Sequence, residues 1–308
     1  MTGDGLVSRE TGEIKEPITF IVEKDSRVIT RDWINWETAR VKQNRLAKEA
    51  RQRQEASHGK RKEKFVFVDA DIDFKGVRPA MITRLIYLST YAGYKGCRKG
   101  ESPLIKRGVH LKKNDLAGVL QLSERHAVNF LNEVSPAYIH EDSEGYLYLD
   151  GQSFIRGSLK KKNFKQYQQI YNNGVRRLYE ASKGKNHKLL GYMFAMIPFI
   201  NIEHNILCWN PEEKDIAKVN PMTPEEFCTA VGYDQSNIGR LMRIYSSILF
   251  DVNGKKEHFC KLICDWNNQS NAKICINPAV IYAGSAYNRV EITRLYFMEK
   301  DVNTEMKQ

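Results

Sequence analysis

Cysteine is sparse and unpatterned in this chain. Six cysteines are scattered over 308 residues, at positions 97, 208, 228, 260, 264 and 275, and no Cys-x-x-Cys pair occurs. A disulfide scaffold is therefore not expected, and the thiols read as reduced and mostly buried. His258, Cys260, Cys264 and Cys275 could be assembled into a zinc site. However, Cys260, Leu262, Cys264 and Trp266 alternate along one strand face, where burial accounts for the thiols. Long apolar runs are also missing, and none approaches the roughly 20 residues that cross a bilayer. The first residues, Met1–Leu6, show no basic region followed by an apolar stretch, so the cytoplasm is the expected location. No Gly-x-x-x-x-Gly-Lys-Ser/Thr loop is present, which leaves ATP use unsupported. Asp69, Asp71 and Asp73 alternate, but Phe74 and Ala80 stand where a calcium loop of the EF-hand type needs glycine and an acid. None of the 15 tyrosines can be singled out as a nucleophile. No catalytic residue, metal or cofactor is expected.

Positive charge is abundant. Lys and Arg number 48 against 37 Asp and Glu, giving a net charge of +11 and a pI near 9.2. Such a balance favours a polyanionic partner, because each phosphate neutralised by Lys or Arg releases counterions. With 42% hydrophobic and 28% charged residues, the composition is globular. Leu6–Ile14 reads as a hairpin turning at Gly12. A long polar helix is expected after Thr30, and it becomes strongly basic from Arg40 to Lys64. That stretch is either a solvated connector or an arm lying along phosphates. Phe65-Val-Phe-Val predicts a strand, and Met81, Ile82, Leu85, Ile86 and Leu88 recur at helical spacing. Tyr167, Ile170, Tyr171, Val175 and Leu178 form one further helical stripe, and Leu189, Leu190, Met193, Phe194 and Ile197 another. A second basic stretch contains Lys160, Lys161, Lys162 and Lys165, and a boundary is placed there.

An internal repeat is the strongest signal. Asp115–Leu131 aligns without a gap on Glu226–Met242, setting Leu116 on Phe227, Leu122 on Tyr233, Ser123 on Asp234, Ala127 on Ile238 and Leu131 on Met242. Further on, Leu149–Gly157 falls against Ile276–Gly284. Each copy has the order of a helix-turn-helix. In the first, a helix over Lys112–Leu120 turns at Gln121-Leu122, and Ser123 caps a second helix running to about Val134. The outer face of that helix carries Glu124, Arg125, His126, Val128 and Asn129, at the end that enters the major groove in helix-turn-helix proteins. A hairpin follows over Tyr138–Leu149, in the position of a wing. Its tip is acidic (Glu141, Asp142, Glu144), so a close grip on phosphate is not expected there. In the second copy Thr223-Pro224 opens the first helix, Gly232-Tyr233 turns, and Asp234 caps a helix presenting Gln235, Ser236, Asn237, Gly239, Arg240 and Arg243. Arg can read guanine, and Asn or Gln adenine, through paired hydrogen bonds. Its wing turns at Asn253-Gly254 and ends on the cations Lys255 and Lys256.

The segment Phe164–Gly284 resembles replication-initiator and regulator proteins of Gram-positive plasmids and phages. The matching pieces are Pro221-Met-Thr-Pro-Glu-Glu-Phe, Tyr233-Asp-Gln-Ser-Asn-Ile-Gly-Arg and Ile276-Asn-Pro-Ala-Val-Ile-Tyr. Val7-Ser-Arg-Glu-Thr-Gly-Glu-Ile is similar to the start of many phage proteins of that kind. The likeness covers under half the chain. It implies a winged helix closing on an Ile-Asn-Pro strand, a mobile-element origin and a bacterial host cell, and it does not choose between replication and transcription. The expected fold is mostly α with small β wings (α+β): tandem winged helix-turn-helix domains at 65–159 and 160–288, an N-terminal hairpin and basic helix at 1–64, and a tail or helix at 289–308. The expected function is sequence-specific binding of double-stranded DNA at a promoter or origin, by binding and recruitment. DNA contacts are expected from Arg125, His126, Asn129, Gln235, Ser236, Asn237, Arg240, Arg243, Lys255 and Lys256, with Lys160, Lys161, Lys162 and Lys165 following the backbone. The alternative is a protein-interaction module contacting polymerase or replisome.

Overall fold

Four of the five residues in Phe65–Asp69 are aromatic or β-branched, the side chains that suit a pleated surface, and they form strand β1. Helix α1 (Pro79–Ser89) opens on proline at its first position. It is apolar on nearly all sides, so it lies inside the molecule. Three short strands follow, β2 (Glu101–Pro103), β3 (Ile105–Lys106) and β4 (Val109–His110). Next come α2 (Leu116–Leu120), α3 (Glu124–Val134), β5 (Ile139–Glu141), β6 (Leu147–Asp150) and β7 (Phe154–Ile155). The second half begins with β8 (Tyr167–Tyr171) and the long helix α4 (Asn172–Ala195). It continues through α5 (Pro224–Val231), α6 (Ile238–Ser247), β9 (Leu249–Val252), β10 (Lys255–His258), β11 (Cys260–Asp265), β12 (Asn268–Ile276) and β13 (Ile281–Tyr282). This computed structural model describes residues 64–94, 101–157, 167–252, 254–265, 268–283 and 297. The chain divides into the units Met1–Lys62 and Glu63–Gln308, and all described residues belong to the second. The expected N-terminal hairpin and basic helix lie outside the described residues, as does the tail at 289–308 apart from Phe297.

One four-stranded antiparallel sheet, in the order β13-β8-β1-β7, joins the two halves. β1 and β8 pair from Phe65↔Tyr171 to Asp69↔Tyr167. β7 flanks β1 through Val68↔Phe154 and Phe67↔Ile155. β13 flanks β8 through Ile170↔Ile281 and Gln169↔Tyr282. Matching Val68 with Ile170 and Phe67 with Gln169 makes these flanking pairs equivalent, and Phe67 itself pairs with Gln169. The register thus has the pattern of a local two-fold axis at that pair, with one half of the chain on each side.

The expectation of a mostly helical chain of tandem winged helix-turn-helix domains is overturned. The described residues are about 39% helical and 28% strand, and the strands form several small antiparallel sheets, so the fold is mixed α/β. Strand pairings that the sequence did not foretell add to the sheets: β2 with β6, β3 with β4, and β11 with β12. The stripe starting at Tyr167 shows how helical spacing misleads. Ile170 and Tyr171 are buried, but Tyr167–Tyr171 is a strand because β1 and β13 offer it two edges. Only from Asn172 does the helix run, and it absorbs most of the second stripe as well. The boundary placed at 159/160 is spanned by this sheet and by one hydrophobic core extending from Val66 to Ile281.

α1 packs along α4, and two contacts decide how closely. A Cβ on Gly191 would lie 1.7 Å from the Pro79 carbonyl oxygen, so only glycine allows this approach of the backbones. Tyr87 stacks on Tyr179 at 3.9 Å between ring centres, and Tyr179 stacks on His187 at 4.1 Å. His187 is buried. Its Nε2 donates to the Tyr179 carbonyl at 3.3 Å, while its Nδ1 has no hydrogen-bond partner among the described residues. Burial lowers the basicity of this imidazole, and the nearby Arg84 guanidinium adds to the effect.

Two measurements follow from this interface. Gly191→Ala should destabilise the chain by about 1–3 kcal/mol or more in urea unfolding, as backbone overpacking does. Gly184→Ala in the same helix meets nothing within 4 Å and should stabilise by about 0.5–1 kcal/mol. For His187, a folded pKa below the unfolded value near 6.5 means that the unfolded state binds more protons at mildly acid pH. Stability should be complete above that value and fall as pH drops below it. His187→Phe should reduce the loss measured between about pH 7 and about pH 5.

Candidate nucleic-acid interface

Both copies of the repeat fold as a short helix, a left-handed corner and a longer amphipathic helix. α2 ends at Gln121, with φ 54° and ψ 47°. The corner closes where the Leu122 N–H donates to the Ala117 carbonyl at 2.9 Å. Leu122 is half-buried against the core. Ser123 holds the N-cap position of α3 with extended backbone, but its side chain makes no capping bond to a backbone amide. Its hydroxyl instead meets His126 Nδ1 at 2.9 Å, a departure from the expected cap. The inner face of α3 is Ala127, Phe130, Leu131 and Val134, all buried. Glu124, Arg125, His126, Val128 and Asn129 are exposed, as the helical spacing predicts. Arg125 and Asn129 lie one turn apart and have no hydrogen bond or ion pair among the described residues. The β5–β6 hairpin follows. Asp142 Oδ1 accepts the backbone N–H groups of Glu144 and Tyr146, so this acid builds the turn. Glu141 and Glu144 remain exposed at its tip.

The second copy is more tightly capped. Thr223 and Glu226 form a reciprocal box at the start of α5: Thr223 Oγ1 accepts from Glu226 N at 3.2 Å, and Glu226 Oε2 accepts from Thr223 N at 2.8 Å. The Thr223 backbone bond holds the Glu226 carboxyl below the usual carboxylate range. Gly232 makes the left-handed corner at φ 65°, and Tyr233 N–H donates to Cys228 O at 2.8 Å. Asp234 Oδ1 accepts from Ser236 N, and the tight turn Gln235–Asn237 leads into α6. The helix expected from Asp234 therefore begins later, at Ile238. Two of the expected base readers are already hydrogen-bonded, one to α5 and one within this turn. Gln235 Nε2 donates to Thr229 Oγ1 at 2.7 Å, and Asn237 Nδ2 donates to Asp234 Oδ2 at 3.0 Å and Ser236 Oγ at 3.1 Å. Arg240 and Arg243 are exposed on one face and have no partner among the described residues. The β9–β10 hairpin turns at Gly254, whose N–H reaches Asp251 Oδ1, and it exposes Lys255 and Lys256. Lys160, Lys161, Lys162 and Lys165 lie outside the described residues.

One cationic element escaped the sequence reading. Ile105–His110 is a tight hairpin with Arg107 and Gly108 at its turn. The signal was an X-Gly dipeptide between short alternating runs. The zinc set considered above is divided by the strand pleat. Cys260 and Leu262 stand opposite Ile276 and Ile274 on one face, whereas Cys275 stands opposite Lys261 on the other, beside Ile206 and Phe297. Burial pushes the Cys275 thiol up to about 12. His258 Nδ1 bonds to the Ser246 carbonyl. Asp69 and Asp73 each accept a backbone N–H two residues on, a turn-forming role. Among the described residues no group of three His, Cys, Asp or Glu side chains could hold a metal, and no helix is long and apolar enough to cross a membrane.

The caps differ, so their removal should differ. Thr223→Ala is expected to cost about 0.5–2 kcal/mol in chemical denaturation, with Thr223→Ser retaining most of the stability. Ser123→Ala, which removes no backbone cap, should cost clearly less. Equal losses would contradict the bonding described here.

No protein-family model, curated protein or solved structure matches this chain.

Proposed function

We propose that this chain binds double-stranded DNA and reads its sequence with the outer faces of α3 and α6, acting at a promoter or replication origin by binding and recruitment. The observation that carries the reading is the repeated corner. Leu122→Ala117 and Tyr233→Cys228 are the same bond at aligned positions, and Gln121 and Gly232 are the same left-handed residue. Each corner presents a helix whose inner side is buried and whose outer side carries cations with no partner among the described residues: Arg125 on α3, and Arg240 and Arg243 on α6. A guanidinium in the major groove bonds guanine O6 and N7 together, and Asn129 has the donor and acceptor that adenine requires. Lys255 and Lys256, next in the chain on an antiparallel hairpin, suit phosphate. The acidic β5–β6 tip does not, so α6 and its hairpin should contribute more affinity than α3. A net charge of +11 supports a polyanionic partner. The resemblance of Phe164–Gly284 to plasmid and phage initiators and regulators adds a mobile-element setting.

The test is selection of bound duplexes from a random library, followed by titration of variants. Arg240→Ala and Arg125→Ala should each cost about 1–3 kcal/mol on the selected duplex and less on random sequence. Lys255→Ala with Lys256→Ala should weaken both and lower the slope of log K against log salt by about 0.9 per lost phosphate contact. If no duplex is preferred over random sequence and affinity does not depend on salt, a protein-interaction role toward polymerase or replisome replaces this reading.

A further inference from the structure

The β3–β4 hairpin is built as a rigid mount for one arginine. Its pairs are Ile105↔His110 and Lys106↔Val109, which leaves Arg107 and Gly108 as a two-residue turn with φ 52° and 83°. Two consecutive positive φ values define the turn that matches strand twist, and Asn-Gly is the sequence that takes it most readily. Arginine is not favoured there, because its Cβ crowds the backbone in the left-handed region. The surroundings impose the conformation. Ile105 N–H donates to Tyr91 O at 2.8 Å and Gly93 N–H to Pro103 O at 2.7 Å, so the ribbon base is tied to the end of α1. A Cβ on Gly93 would lie 2.6 Å from Ile105 Cδ1, a measure of how closely that base is seated. On the other side Leu104 N–H donates to Leu147 O, and Leu147 N–H to Leu111 O, with Leu104 and Leu111 buried. His110 stacks on Tyr146 at 4.7 Å between ring centres and bonds to the Leu147 carbonyl at 3.0 Å. The base is therefore locked between α1 and β6.

The tip, by contrast, is bare. Arg107 is exposed and has no hydrogen bond or ion pair among the described residues. Lys106 is beside it, Lys113 is exposed a few residues on, and Val109 is 66% exposed on the flank. Disfavoured backbone kept by an over-determined framework is found where a side chain must be presented. The minor groove of B-DNA, about 6 Å wide, is too narrow for the two strands but admits the single guanidinium that the ribbon carries at its turn. Negative potential is focused in that groove and attracts arginine most where the groove is narrow. Val109 would meet the apolar sugar walls. The aligned second half has no such ribbon among its described residues. Between α4 and α5 it carries a turn-rich loop with Glu212, Glu213 and Asp215.

On the reading that the chain binds duplex DNA, we infer that the β3–β4 hairpin inserts Arg107 into the minor groove beside the segment read by α3. Guanine projects a 2-amino group into that groove, and inosine lacks it while presenting the same O6 and N7 to the major groove. The probes are one selected duplex and its copy with inosine for guanine, titrated with the full chain, Arg107→Asn and, as a turn-compatible second variant, Arg107→Gly. Both substitutions suit the turn, so both variants should melt no lower than the parent chain. The parent should bind the inosine duplex more tightly, and each variant should bind about tenfold more weakly and lose that preference. Unchanged affinity in both variants, with Arg240→Ala still impaired, overturns the hairpin assignment and leaves the DNA reading standing. Equal weakening on both duplexes, with no inosine preference in the parent, overturns the minor-groove placement. A parent chain that binds neither duplex overturns both proposals.

Discussion

The pairing of β1 with β8 is the constraint on which the rest of this structure depends. Neither strand is independently stable: each is five residues long and needs a neighbour on both edges to satisfy its backbone. β7 and β13 supply the outer edges from the ends of their respective halves. The two halves are thus closed upon each other by hydrogen bonds that neither can make alone. The equivalence of Phe67 and Gln169 across the central pair makes the arrangement behave as a dimer interface written into one chain.

Behind that sheet the two interior helices meet without a gap. The absence of a side chain at Gly191 and at Gly174 lets α4 touch the backbone at Pro79 and at Ala279. The Tyr87–Tyr179–His187 stack fills the α1–α4 contact with flat rings, whose burial provides much apolar contact area. Asn172 and Arg176 both donate to the Thr90 carbonyl at the end of α1. The repeated corners are carried on this framework and are held by it, since Tyr179 Oη bonds to Leu120 O at the first corner and Tyr245 Oη bonds to Leu189 O from the second. A rigid mount of this kind is what a surface needs if it is to present side chains at fixed separations.

The corners themselves were legible residue by residue. Leu116 and Phe227, Leu131 and Met242, and Val134 and Tyr245 occupy matching buried positions because apolar side chains at three- and four-residue spacing can share only one helix face. The Leu149–Gly157 and Ile276–Gly284 match was also informative: Phe154 aligns with Ile281, and the two head the equivalent edge strands β7 and β13. The candidate site was read less well. Exposure of Arg125, Arg240 and Arg243 follows from periodicity, but the capture of Gln235 by Thr229 on the preceding helix and of Asn237 by Asp234 does not. A short polar side chain next to a helix start has nearby backbone and side-chain groups to choose from, and only the folded geometry selects among them.

By itself the sequence determined the local elements whose causes are local: the helix start at Thr223-Pro224, the left-handed corner at Gly232, the hairpin at Gly254, and the inner and outer faces of α3 and α6. The tertiary structure decided which short apolar segments became strands and which half each would join. Tyr167–Tyr171 has helical spacing and strand composition together, and an open edge on β1 settles the choice. Sheet pairing is a long-range hydrogen-bonding condition that no window of sequence contains, whereas a helix satisfies its backbone within itself. For that reason the helices of this chain were foreseen and the mixed α/β fold that unites its halves was not.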